Sequence, residues 1–101
     1  MKKDELIAKA KIRIRKMSTD ILDEDVGQLV EVALADLKRI GVDGSYLGKN
    51  GRSINDPLII EAVLMYCKAN FGTPDNQERL MEAYEMMCTK IKGGGYHRSV
   101  D

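Results

Sequence analysis

Few residues in this chain of 101 could carry covalent or acid–base chemistry: one histidine, His97, two cysteines, Cys67 and Cys88, and the acidic run Asp23-Glu24-Asp25. General acid–base catalysis needs a group held within hydrogen-bond reach of the proton it moves. His97 lies beyond Gly93-Gly94-Gly95, where nothing would hold it against a nucleophile. There is no Cys-x-x-Cys, no His-x-x-x-His and no glycine loop leading into a helix, so the familiar metal and phosphate motifs are missing. The triple glycine follows a helical pattern and precedes none. Asp23, Glu24 and Asp25 read either as metal ligands or as the solvated first turn of a helix, and the second is the better account. No enzyme activity, metal or cofactor is expected.

The two cysteines sit inside helical patterns without a close-spaced partner. Buried, reduced thiols of a cytosolic protein are expected rather than a Cys67–Cys88 disulfide. Sixteen basic residues balance sixteen acidic ones, so no overall field draws the chain to nucleic acid or anionic lipid. Locally the balance is uneven. Residues 2–16 carry seven Lys/Arg against Asp4 and Glu5, and residues 20–36 carry six acids and no base. Lys9, Lys11, Arg13, Arg15 and Lys16 could contact DNA phosphates. They spread around a helical cylinder, which favours a solvated face, paired with the acidic start of the second helix in the same or a neighbouring chain. A helix-turn-helix would need a basic second helix after a tight turn, whereas the turn at Gly72–Asp75 leads into Glu78, Glu82 and Glu85. No stretch approaches the ~20 apolar residues of a membrane span, and the polar start does not resemble a signal peptide.

Four helical segments must position these residues within one domain. In the first, about residues 4–16, Leu6, Ile7, Ala10, Ile14 and Met17 fall on one side. The run Lys11–Arg15 also alternates as a strand would, with Ile12 off the helical stripe, but the longer helical period predicts a helix. The second, about 21–40, carries Leu22, Val26, Leu29, Val30, Ala33, Leu37 and Ile40 in one stripe. Its acids lead, Lys38 and Arg39 close, and Gly41 ends it. Residues 41–55 hold four glycines and no helical period. There Asn50-Gly51, between Lys49 and Arg52, marks either a short β-hairpin or an irregular loop. A connection this long in a small helical domain is more often functional than idle.

The third helix opens at Asn55-Asp56-Pro57, a cap followed by proline, and closes at Phe71-Gly72. The fourth opens at Thr73-Pro74-Asp75, where Asp75 and Glu78 have capping-box spacing. It runs to about Lys92 with Leu80, Ala83, Tyr84, Met87 and Ile91 inward and Met81 and Met86 off that stripe. The three glycines then uncouple a six-residue tail, Tyr96–Asp101, so the expected division is a helical domain over residues 1–92 and a flexible segment over 93–101. The third helix is the unusual one. It is apolar almost all the way round, with Glu61 and Lys68 in one narrow polar wedge, whereas a surface helix needs an apolar stripe of only about 100°. Either the other helices wrap it, or a flank meets another subunit. Ile60, Leu64 and Met65 beside Glu61 and Lys68 are the candidate flank, and Lys11, Arg13 and Arg15 facing Asp23, Glu24 and Asp25 of a neighbour are candidate partners.

The stretches Asp56-Pro57-Leu58-Ile59-Ile60-Glu61-Ala62-Val63, Tyr66-Cys67-Lys68-Ala69-Asn70-Phe71-Gly72, Asp75-Asn76-Gln77-Glu78-Arg79-Leu80 and Tyr84-Glu85 follow one another in a familiar order. In it, the chain resembles the small head–tail connector (adaptor) proteins of tailed bacteriophages and prophages. In these a "DPL…A…YVKANFG" helix precedes a "D…ER…YE" helix, and "LVEVALADLKRIGV" fits the family's preceding acid-led helix. The resemblance covers roughly residues 20–92; the basic first helix departs from the commoner family opening. It implies an all-α protein, here a small bundle of four helices with the glycine-rich loop between the second and third. It implies a ring of about a dozen copies beneath the portal protein, extending the DNA channel without sequence-specific binding and docking a further connector or tail protein. The expected location is the virion neck, after assembly in the bacterial host cytoplasm. Family loops and C-terminal segments contact the portal or neighbouring rings, which singles out Lys49, Asn50, Arg52, Tyr96, His97 and Arg98 for docking. The alternative is a small nucleic-acid-binding accessory protein acting through the basic first helix.

Overall fold

Leu6, Ala10 and Ile14, one turn apart, are all fully buried while Ile12, which a strand would place on the same face, is 65% exposed, and this decides the first segment for helix over strand. The computed structural model describes residues 1–14, 23–71 and 76–96. Its elements are α1 (Lys3–Ile14), α2 (Asp23–Arg39), α3 (Pro57–Asn70) and α4 (Gln77–Lys92), with short 3-10 turns at Gly44–Tyr46 and Lys49–Gly51. Among the described residues there is no strand beyond an isolated bridge position at Val42. The expected start of α2 at about residue 21, the opening of α4 at Thr73-Pro74-Asp75 and the closing Gly72 of α3 lie outside the described residues.

α2 buries Val26, Val30, Ala33 and Leu37 of the stripe its sequence predicts, and Leu34, which that stripe left out. α3 starts where Asn55-Asp56-Pro57 places it. Asp56 Oδ1 accepts from the amides of Leu58 at 2.9 Å and Ile59 at 3.3 Å, and Pro57 occupies the first turn, where it has no amide to waste. α4 turns Tyr84, Cys88 and Ile91 inward. Each of α1, α2 and α4 packs on α3, and α1 also packs on α2. α3 is thus the central helix, and Ile59, Ala62, Val63, Leu64, Cys67 and Ala69 are its buried side. Both cysteines are free and buried. Burial pushes the Cys67 thiol up to about 12, so it stays protonated and inert at neutral pH.

The hairpin reading of residues 41–55 does not hold. Three apolar residues, Val42, Leu47 and Ile54, pin this segment to the core. Their spacing of five and seven fits successive turns, not the period-two alternation a hairpin needs. The chain reverses at Gly48, which takes φ +79, and an added Cβ there would press on Ile54 and the Arg52 carbonyl. Asn50-Gly51 falls inside the second 3-10 turn instead.

The three glycines form a turn, not a free hinge. Gly93 and Gly94 donate back to the carbonyls of Thr89 and Ile91, Gly95 takes φ +81, and the Tyr96 ring lies so close to Gly94 that a Cβ would meet it at 2.8 Å. Tyr96 is therefore returned to the bundle, and the uncoupling expected from residue 93 onward does not extend to it.

Candidate functional site

The surface where α1 meets α3 is organised by one ion pair. Arg13 donates through both terminal nitrogens to Glu61, at 2.7 and 2.8 Å, bridging the two helices in bidentate fashion. Each partner is held toward its charged form: Glu61 raises the Arg13 guanidinium, and Arg13 pulls the Glu61 carboxyl below its ordinary range against a smaller opposing effect of burial. Around the pair, Lys9, Ile12, Pro57, Ile60 and Leu64 line an open groove of about 440 Å³. Ile12 is 65% exposed at its rim, and Leu58 on the next turn of α3 is 36% exposed. The groove holds no convergent set of titrating groups. What it offers is apolar surface framed by charge, which suits another protein chain.

On the other flank, Tyr84 of α4 donates its hydroxyl to Asp36 Oδ2 at 2.6 Å, and Arg39 reaches Asp36 Oδ1 at 2.8 Å. Burial opposes the Asp36 charge, yet hydrogen bonds from Tyr84 and Arg39 outweigh it and its pKa falls. Burial, and then the bond to Asp36, push the Tyr84 phenol up. Tyr84 also meets Tyr66 edge-on at 5.2 Å, tying α4 to α3. This cluster joins helices and has the character of a structural clamp.

A third assembly gathers at the loop. The Tyr96 hydroxyl donates to the Asp56 carboxylate at 2.8 Å, its ring stands edge-on to Tyr46 at 5.0 Å, and its carbonyl accepts from the Asp43 amide at 2.8 Å. The other end of the chain joins in: Ile54 donates its amide to the Met1 carbonyl, and Lys2 Nζ donates to the Gly51 carbonyl, both at 2.6 Å. Loop, N-terminal turn and C-terminal turn thus meet at one end of the bundle.

These surfaces divide the residues singled out in the sequence. Arg13, Ile60, Glu61 and Leu64 come together at the α1/α3 groove, with Met65 and Lys68 half-buried further along α3. Glu24 and Asp25 are exposed on α2, which also carries Asp23; where pairing with this acidic start was expected, Lys3 of the basic helix pairs with Glu31 further along α2, at 3.0 Å, and Arg13 pairs with Glu61 of α3. Lys11 is half-buried on α1. Lys49 and Arg52 are exposed on the loop, Asn50 lies in its second 3-10 turn, and Tyr96 joins them. Arg15, His97 and Arg98 lie outside the described residues. Sequence reasoning missed Tyr46 and the Asp56–Tyr96 bond, the latter joining residues 40 apart with no local pattern. It also missed Val32, 49% exposed on the outer side of α2, which only a wheel drawn with the core side known would expose. No group of metal-ligating side chains is assembled among the described residues, and no helix there is long and apolar enough to cross a membrane.

A family model described as phage connector protein matches residues 7–93 of the chain. Comparison with curated proteins and with solved structures finds no match.

Proposed function

The chain belongs to the phage connector protein family, and from that membership we propose that it is a structural head–tail connector of a tailed phage or prophage. Copies assemble as a ring of about a dozen beneath the portal protein, extend the DNA channel, and dock a further connector or the tail. Its place is the virion neck. The observation that carries this reading is the family match across α1 to α4, from residue 7 to residue 93. The surface chemistry supports it, since the candidate subunit-contact residues Ile60, Glu61 and Leu64 line an open apolar groove.

Assembly itself is the mechanism. Single contacts between small helical faces are weak, and the portal converts them to strong ones by holding successive copies at high effective concentration. Residues 1–92 act as the connector domain. Portal or neighbouring-ring docking falls to Lys49, Asn50 and Arg52 of the loop with Tyr96, His97 and Arg98. The Tyr46–Tyr96 contact supports treating loop and C-terminal turn as one docking unit. The accessory nucleic-acid reading gains nothing from the structure, because Arg13, a central cation of that segment, is spent on Glu61.

Negative-stain microscopy of the protein alone and with its portal tests the proposal. Rings with a central hole, at least when the portal is present, are the expected result. A monomer indifferent to the portal would overturn it.

A further inference from the structure

A ring subunit needs two different patches, one to offer and one to receive, and about a dozen copies turn only about 30° from each to the next. The two patches must therefore lie on nearly opposite sides of the subunit. Two helix strips meet that condition. On α3, Leu58, Glu61, Met65 and Lys68 recur at spacings of three and four and share one strip. Glu61 and Met65 each stand two positions, about 200°, beyond the fully buried Ile59 and Val63. α1 bounds this strip through the Arg13–Glu61 pair, and α4 holds another flank of α3 through Tyr66–Tyr84 and Asn70–Met81. α2 packs on α3 as well, and the buried side is left to it. The strip faces away from α2.

α2 presents a matching strip outward. Asp25, Gln28, Val32 and Ala35 follow the same three-and-four spacing and are all exposed, and Val32 stands two positions beyond the fully buried Val30. The charges are complementary. Beside the α3 strip, Lys9 and Lys68 have no carboxylate partner among the described residues, because Glu61 is occupied by Arg13. On α2 Glu24, Asp25 and Glu31 are exposed acids; Glu31 is taken by Lys3, which leaves Glu24 and Asp25 for a neighbour. Each strip also carries apolar side chains to bury, Ile12, Leu58 and Met65 on one and Val32 and Ala35 on the other.

We infer that the α3 strip of one copy, widened by Lys9 and Ile12 of α1, seats the outer face of α2 of a second copy. The contact is heterologous, so each copy uses both strips and the chain of contacts closes into a ring. This rests on the ring reading above and adds the surfaces that make it.

Disulfide trapping on rings formed with the portal tests the pairing. Val32→Cys and Met65→Cys in one chain should give a ladder of covalent multimers on mild oxidation. A mixture of the two single variants should give dimers, and either single variant alone should give none. The wild type, with its buried Cys67 and Cys88, is the control. Because Met65 is half-buried, Gln28→Cys with Leu58→Cys, both exposed, is the second pair. Lys9→Glu with Lys68→Glu should cut ring yield about tenfold, and adding Glu24→Lys with Asp25→Lys should recover it. Rings that give no ladder with either pair, or that trap Met65→Cys with Met86→Cys of α4 instead, overturn the pairing and leave the ring standing. Dimers from one single variant alone reveal a two-fold contact and overturn it as well. Absence of wild-type rings with the portal removes both the pairing and the ring.

Discussion

Asp36 keeps a negative charge at a site where burial opposes it, and Tyr84 and Arg39 make this affordable. Its folded pKa lies below the ordinary carboxylate value, so its contribution to stability is complete above that value and is lost as pH falls through the folded pKa. Tyr84→Phe should cost about 1.5–3 kcal/mol at neutral pH, the usual worth of a hydrogen bond to a charged group. Because the bond is strongest to the carboxylate, the gap between wild type and variant should narrow below about pH 4 in urea titrations run across pH. The Arg13–Glu61 pair has the same sign, since Glu61 is also held low by its partner. Both side chains are 37% exposed, so solvent screens them. A double-mutant cycle with Arg13→Gln and Glu61→Gln should return a coupling of about 0.5–1 kcal/mol that shrinks in high salt; zero coupling at low salt would sink the idea that the pair fastens α1 to α3. Neither partnership was legible beforehand. Arg13 and Glu61 stand 48 residues apart, as do Asp36 and Tyr84, and helical period tells which face a side chain is on without telling which helix it will meet.

The helices show where local chemistry is sufficient and where it is not. Asp56-Pro57 announced the start of α3, and Asp56 does cap it. Asp56→Ala should cost about 1 kcal/mol from the cap alone. It should also release Tyr96, read as faster hydrogen exchange at the Leu58 and Ile59 amides together with loss of the Tyr46–Tyr96 ring contact by NMR. Asp56→Asn should preserve the amide protection. Gly27 lies inside α2, and an added Cβ would meet only the end of Ile7 at 3.6 Å, an ordinary contact. Gly27→Ala should therefore stabilise the protein by about 0.5–1 kcal/mol, measured by thermal melting. The loop and the glycine turn were legible only in part, for one physical reason. Asn50-Gly51 and Gly93–Gly95 are signals about what the backbone permits. What it adopts was decided by distant anchors: Leu47 and Ile54 against the core, and Tyr96 against Asp56.

At the scale of the molecule, the question posed by the apolar third helix has a divided answer. Three helices do wrap it, and most of its oily surface is hidden inside the subunit. Among the described residues the remainder is a narrow strip with exposed Leu58 and half-buried Met65, supplemented by Ile12 on α1, Val32 on α2 and Met86 on α4. A remainder of this size is too small to be required for folding, and scattered exposed apolar residues are normal on a monomer. It is large enough to contribute once copies are held side by side. The subunit should accordingly fold alone and assemble only when assisted. Obligate oligomers gain stability with concentration, because association is linked to folding by mass action. Here the melting temperature should stay constant, within about 1 °C, from micromolar to several hundred micromolar protein, and sedimentation over that range should report a single monomeric species. A melting temperature that climbs steadily with concentration would mean that α3 is completed only by its neighbour, and the portal would then be stabilising a ring that already exists instead of nucleating one.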